Sequence, residues 1–179
     1  MPYHHGDLRN VLLDEAAAVV AEHGPSALSL RDLARRAGVS HAAPAHHFGD
    51  KAGVLTALAT QGHDRLALAL EHADPGLLAA GLAYVDFAVT HPGHFAVMFG
   101  HGLVHDDTEL LAAQERSGGA LRRAAPEPVV ARAAWSVVHG FAALWLAGAF
   151  SGEDPAVAAR PVLSRTLIGL VPHEPPQSG

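Results

Sequence analysis

The sequence predicts an all-α protein, and three observations carry the prediction. Ala and Leu dominate its apolar residues. β-branched runs are short. Apolar positions recur at steps of three or four, the period of a helix face rather than of a strand. The chain has 179 residues, enough to bury a core, and its 49% hydrophobic content excludes disorder as the main state.

The elements follow in order. Leu8, Val11, Leu12, Ala16, Val19 and His23 lie on one face of a first helix, with Asp7 placed to cap it and Gly24-Pro25 to end it. Ser29 and Asp32 have the spacing of a capping box, and Leu28 and Leu33 that of the accompanying hydrophobic staple. They open a short second helix that Gly38 ends, in the left-handed conformation a glycine adopts cheaply. Ser40 is placed to cap a third helix, His41 to Phe48, and Gly49 breaks it. Asp50 caps a fourth helix, Lys51 to His72, with Val54, Leu55, Leu58, Leu66, Ala69 and Leu70 on its apolar side.

Asp74-Pro75-Gly76 precedes a fifth helix, Leu77 to Thr90, and His91-Pro92-Gly93 a short sixth, His94 to Phe99. A loop from Gly100 to His105 leads to a weaker helix, Thr108 to Arg123, in which Gly118-Gly119 is a defect. Pro126 and Pro128 open the longest apolar stretch, Val129 to Phe150, interrupted by His139 and Gly140. After a turn at Ser151 to Asp154, Pro155 starts a last helix to Leu170, and Pro172 to Gly179 reads as a loose tail.

Composition narrows the function classes. There is no Cys, which removes disulfide scaffolds, thiolate nucleophiles and Cys-ligated zinc. No uninterrupted apolar run reaches the roughly 18 residues of a membrane span. The first residues lack the apolar core of a secretory signal, so a cytoplasmic protein with no membrane partner is expected. Net charge is −6. Residues 1–51 carry five basic and six acidic side chains, so the acid excess sits in residues 52–179. Lys51 is the single lysine, and fourteen histidines form a pH-dependent reserve of charge.

Residues 29–48 carry the sharpest chemistry. Two short capped helices joined by Gly38-Val39-Ser40 form a helix-turn-helix. The second has the thickness to enter a DNA major groove while the first supports it. On a helical wheel Pro44 and Phe48 point inward, His46 points opposite, Ala42 and Ala43 lie beside it, and His47 sits on the flank. Such a narrow probe brings backbone close to bases, with Ala methyls for thymine and imidazoles for guanine or phosphate. Lys51 adds a cation to the amide groups that open the fourth helix, a phosphate site. A plain helical hairpin without DNA contacts is the bland alternative.

Leu33-Ala34-Arg35-Arg36-Ala37-Gly38-Val39-Ser40, followed by Phe48-Gly49-Asp50-Lys51-Ala52-Gly53-Val54-Leu55, closely resembles the N-terminal domain of the TetR family of transcriptional regulators. The likeness spans roughly residues 6–66. Tyr3-His4-His5-Gly6-Asp7-Leu8-Arg9, with Trp135 and His139-Gly140, resembles the subgroup whose C-terminal domain is called WHG. The resemblance implies a three-helix DNA-binding domain over 1–51 and a C-terminal effector-binding and dimerisation domain over 52–171. It implies that Phe48 packs on the first helix and Lys51 touches phosphate. The expected DNA-contacting set is Ser29, Arg31, Ser40, His41, Ala42, Ala43, Ala45, His46, His47 and Lys51.

The family pattern places a Tyr and a basic residue where this chain has Ala45 and His46. One phosphate anchor is lost, so operator binding is expected to be weak and salt-sensitive.

The remaining helices are implied to bind a small molecule and to pair two copies. Trp135, Val138, Phe141, Ala142, Trp145 and Ala149 form one apolar stripe, with Leu144, Leu146 and Phe150 partly off it. The last helix carries Val157, Val162, Leu163, Leu167, Ile168 and Leu170. Helices apolar on more than one face need cover on more than one face, which a two-fold pairing through the last two helices supplies. An effector pocket between helices five to eight would draw on Tyr84, Phe87, Phe95, Met98, Phe99, Trp135 and His139.

His91, His94, His101 and His105, with Asp106 and Asp107, invite a metal reading, but His91 and His94 straddle a Pro-Gly turn. No metal or cofactor is expected. Neither His-Glu-x-x-His nor Gly-x-Ser-x-Gly occurs, and His173-Glu174 falls in the tail, so no enzyme is expected. The two competing functions are a His-dependent metal hydrolase and a sensing or protein-interaction module with an impaired reader.

Overall fold

The structure is a computed structural model that describes residues 5–125, 127–150 and 154–168. The expectations for Tyr3, His4, Pro126, residues 151–153, Leu170 and the tail from Pro172 lie outside those residues. Described elements are helical: α1 (His5–His23), a 3₁₀ turn (Pro25–Ala27), α2 (Leu30–Arg36), α3 (Ala43–Phe48), α4 (Lys51–Glu71), α5 (Leu77–Thr90), α6 (Pro92–Met98), α7 (Thr108–Ala124), α8 (Pro128–Leu146) and α9 (Pro155–Ile168).

Two compact units form. One comprises residues 1–67 and 90–117, the other 68–89 and 118–179. In the first, Leu12, Leu13, Ala16, Val19 and Val20 of α1 meet Leu28, Leu33, Val54, Leu55 and Leu58 in one buried cluster, joined by Val97, Leu103 and Leu110. Removing this much apolar surface from water is the main favourable term holding the short helices α2 and α3, which are too brief to persist alone. α6 lies so close on α1 that a Cβ at Gly93 would overlap the Ala17 carbonyl oxygen. Glycine is needed there for close approach, not for an unusual φ.

In the second unit, α8 packs on α9, and Val130, Ala134, Val138, Phe141 and Ala142 are buried with Ala159, Leu163 and Leu167. Gly81 of α5 faces them, because a Cβ there would stand 2.9 Å from Leu167 and 3.2 Å from Val138. The stripe read from the sequence therefore divides. Val138, Phe141 and Ala142 turn inward, whereas Trp135 and Ala149 are exposed. A second stripe of α8 is half-buried or exposed: Val129, Ala133, Val137, Gly140 and Leu144, with Val129 65% and Leu144 50% exposed. By length and mean hydropathy α8 would suffice to cross a membrane, although Arg132, Ser136 and His139 interrupt it.

Several local expectations change. α1 is helical from His5, so Asp7 lies within it instead of preceding it as a cap. α7 runs unbroken through Gly118-Gly119, because Ala113, Ser117 and Ala120 are buried and tertiary packing outweighs the propensity cost of two glycines.

Candidate nucleic-acid interface

α2 and α3 are set by their ends. Ser29 begins α2 in an extended conformation, but its side chain makes no capping hydrogen bond. The capping box does not form, because Asp32 is taken by stronger partners. Arg35 Nε donates to Asp32 Oδ1 at 3.1 Å and Arg36 Nε to Asp32 Oδ2 at 3.0 Å. Charge-assisted bonds of this kind outcompete a neutral amide. Arg35 first, then Arg36, hold the Asp32 carboxyl below the usual carboxylate range. The staple pair does go inside, Leu28 at 4% and Leu33 at 1% exposure.

α2 ends in a doubly bonded reversal. Val39 N–H donates to Ala34 C=O at 3.0 Å and Gly38 N–H to Arg35 C=O at 3.3 Å, with Gly38 at φ 67°. This is the Schellman arrangement, in which the left-handed residue is glycine because it has no Cβ to strain. The expected cap at Ser40 does not close a helix from His41. α3 starts at Ala43 with Ala42 as its cap residue and Pro44 in its first turn. Proline lacks an N–H and fits only the first turn, so Pro44 fixes the later start.

The helix that results is short and one-sided. Pro44 is buried, Phe48 half-buried, and His41, Ala42, Ala45 and His46 are exposed, with Ala43 and His47 on the margins. Arg9 of α1 sits over the Phe48 ring, 5.4 Å from its centroid, and clamps the end of α3 to α1. α3 contains no Arg or Lys. Ser29, Arg31 and Ser40 are exposed beside it.

Lys51 is more engaged than the sequence suggests. Its Nζ donates to the Ser26 carbonyl at 2.7 Å, tying α4 to the 3₁₀ turn. Two of the ammonium's three donors stay available for an outside acceptor. The first-turn amides are not all open either, since Gly53 N–H donates to Asp50 Oδ1 at 2.9 Å. A Cβ at Gly53 would overlap the Phe48 carbonyl oxygen, so this glycine lets α4 start directly against the end of α3.

The seven effector candidates fall in both units. Tyr84, Phe87, Trp135 and His139 are in the second, and Phe95, Met98 and Phe99 in the first. Tyr84 is fully buried; its Oη accepts from Trp135 Nε1 at 3.2 Å and pairs with His139 Nδ1 at 2.9 Å. Burial raises the Tyr84 phenol to about 12, partly offset by the Trp135 bond, and burial lowers His139. Phe87 is buried at 3% exposure.

Two buried polar pairs escape sequence reasoning. His94 Nε2 donates to Gln61 Oε1 at 2.8 Å, and burial first, then the charges of Arg65 and His91, push the imidazole down to about 4. His63 Nδ1 lies 2.9 Å from Ser117 Oγ. The signal was present: His63 falls on the same helical face as Ala59, Leu66 and Leu70, all buried. Among the described residues no group of three or more His, Asp or Glu side chains is placed to hold a metal.

Comparisons with known proteins agree with this geometry. Residues 12–58 match the family described as bacterial regulatory proteins, tetR family, and residues 77–166 match the tetracyclin repressor-like C-terminal domain. The HTH-type transcriptional regulator YobS of Bacillus subtilis (strain 168) is 25% identical over 91% of this chain and 92% of its own length. A Rhodococcus sp. RHA1 protein of unknown function is 34% identical, with a TM-score of 0.75 over 94% of this chain and 98% of that one. The TetR family transcriptional regulator PfmR of Thermus thermophilus is 26% identical, with a TM-score of 0.65 over 90% of this chain and 99% of that one. Two family domains in tandem, on a helix-turn-helix whose second helix stands in solvent, make this chain a member of the TetR family of transcriptional regulators.

Proposed function

We propose that the chain is a cytoplasmic homodimeric repressor that a small-molecule effector releases from operator DNA. Residues 1–51 serve as the reader, and residues 52–171 as the effector-binding and pairing part. The observation that supports this most is the one-sided α3. It exposes Ala45 and His46 above a buried Pro44, with His41 and Ala42 exposed just before it, as a probe for a groove requires. His46 and His47 donate to bases or phosphate, Ala42, Ala43 and Ala45 allow close approach, and Ser29, Arg31, Ser40 and Lys51 contact the flanking backbone.

The outward stripe of α8, Val129 to Leu144, and the exposed Val157 and Val162 of α9 support pairing through the last two helices. Gly140 faces open space within that stripe, and so permits a partner helix to come near. No catalytic role or metal is assigned.

The test is selection of bound fragments from genomic DNA with the purified protein, then screening of small molecules for release. Enrichment of one inverted-repeat sequence supports the reading. Absence of any enriched sequence favours the sensing or protein-interaction module instead, a reading motivated by Ala45 and by an α3 without Arg or Lys.

A further inference from the structure

α3 has six residues, fewer than two turns, and is too short to hold its own shape or direction. Two anchors fix it. Pro44 is buried near its start, and Phe48 is half-buried at its end. The backbone of Phe48 is closely backed by α4, where a Cβ at Gly53 would overlap the Phe48 carbonyl oxygen. Its ring is covered from α1, where the Arg9 guanidinium carbon lies 5.4 Å from the ring centroid.

The contacts do not stop at Phe48. Its ring meets that of His47 with 6.1 Å between centroids and 51° between planes. His47 in turn meets His46 edge-on, at 5.6 Å and 68°. Four flat groups therefore stand in series, from Arg9 on α1 to the exposed His46 on α3. Each spacing is within the range over which aromatic and cation–π pairs attract. Successive helix positions point about 100° apart, so neighbouring rings touch only in particular rotamers, and each limits the next.

Arg9 is available for this duty. It is exposed, and among the described residues it makes no hydrogen bond or ion pair. Arg35 and Arg36 are bound to Asp32, and Lys51 to the Ser26 carbonyl. Asp107 and Glu109 line the same small pocket as Arg9, but Asp107 accepts from the Leu110 amide at 2.9 Å.

We propose that Arg9 is a positioning residue for base recognition: its guanidinium, held over Phe48, sets through Phe48 and His47 the direction in which His46 meets a base, without touching DNA itself. The proposal rests on reading His46 as a base contact. It places a determinant of operator choice on α1, outside the reading helix, in a chain whose α3 has no Arg or Lys to orient it on phosphate.

The test combines Arg9→Met, which keeps an apolar arm but removes charge and plane, with Arg9→Lys, which keeps the charge alone. Base preference is read by competition among point-substituted operators, at the base pair that His46→Ala identifies. Arg9→Met should lower that preference about two- to five-fold, the reach of an exposed cation–π contact. Arg9→Lys should recover only part of the loss, and Arg9→Met should add nothing in a His46→Ala background. The slope of log affinity against log salt should not change. In the free protein the His46 ring resonance should move on Arg9→Met, but not once His47→Ala has cut the series.

Full recovery by lysine, independent losses in the double variant, or an unmoved His46 resonance overturns the proposal. A salt slope smaller by about one overturns it too, because Arg9 then meets phosphate itself. A preference changed by His46→Ala but not by Arg9→Met sinks the positioning role alone. A preference unchanged by His46→Ala sinks the assignment of His46 as well.

Discussion

Two sets of histidines in this chain do opposite work. His41 and His46 stand in solvent on and beside α3, with His47 at its margin. His63 and His94 are each 4% exposed, and His139 is half-buried. The outer set stands on and beside a helix that itself contains no Arg or Lys. The inner set is neutral in the folded protein and answers to Ser117, Gln61 and Tyr84. The difference teaches that burial, not residue type, decides whether a titration is a resource or a liability.

The largest test of this contrast is acid. His94 is pushed from 6.5 down to about 4 in the folded protein, so the unfolded chain takes up the proton first. Its contribution to stability is intact above pH 6.5 and is lost as pH falls towards 4, at up to about 1.4 kcal/mol per pH unit. His63 and His139 shift in the same direction. Urea midpoints should fall between pH 7 and pH 5, and His94→Gln should flatten the fall. Midpoints that stay level, or that fall equally in the His94→Gln variant, would remove His94 from this role.

A second probe compares tolerance. Gly93→Ala forces α6 off the Ala17 carbonyl and should cost about 1–3 kcal/mol by chemical denaturation. His46→Ala, on the exposed face, should leave stability within about 0.5 kcal/mol. It should instead relax base preference at one operator position by about 1–3 kcal/mol, read by competition among point-substituted operators. An unchanged preference would remove His46 from its assigned role. The smallest expected effect is that of Lys51→Ala. It should weaken all sequences alike and reduce the slope of log affinity against log salt by about one. Loss of its bond to Ser26 should also lower the melting temperature slightly.

Punctuation made most of the fold legible. Gly24-Pro25, Gly38, Gly49-Asp50 and Asp74-Pro75-Gly76 mark ends that the helices keep. What failed involved competition between partners. The capping box needed Asp32 to choose an amide, but Arg35 and Arg36 sit one turn on and win. The start of α3 needed Pro44 to be weighed against Ser40. Gly118-Gly119 looked like a break because propensity is local and the burial of Ser117 and Ala120 is not. Of the reader, the inward Pro44 and outward His46 followed from the wheel. The His63–Ser117 pair joins α4 to α7 across 54 positions of sequence, beyond the reach of any local pattern.

The outward stripe of α8 carries a quantitative consequence. Val129 and Leu144 stand exposed on it, and the pairing proposed above would cover them by mass action between two copies. If pairing through that stripe precedes DNA binding, occupancy of the operator varies with the square of the free monomer concentration when dimers are scarce. Copy number then becomes an input in its own right, and a modest change in synthesis or turnover turns into a sharper change in gene output.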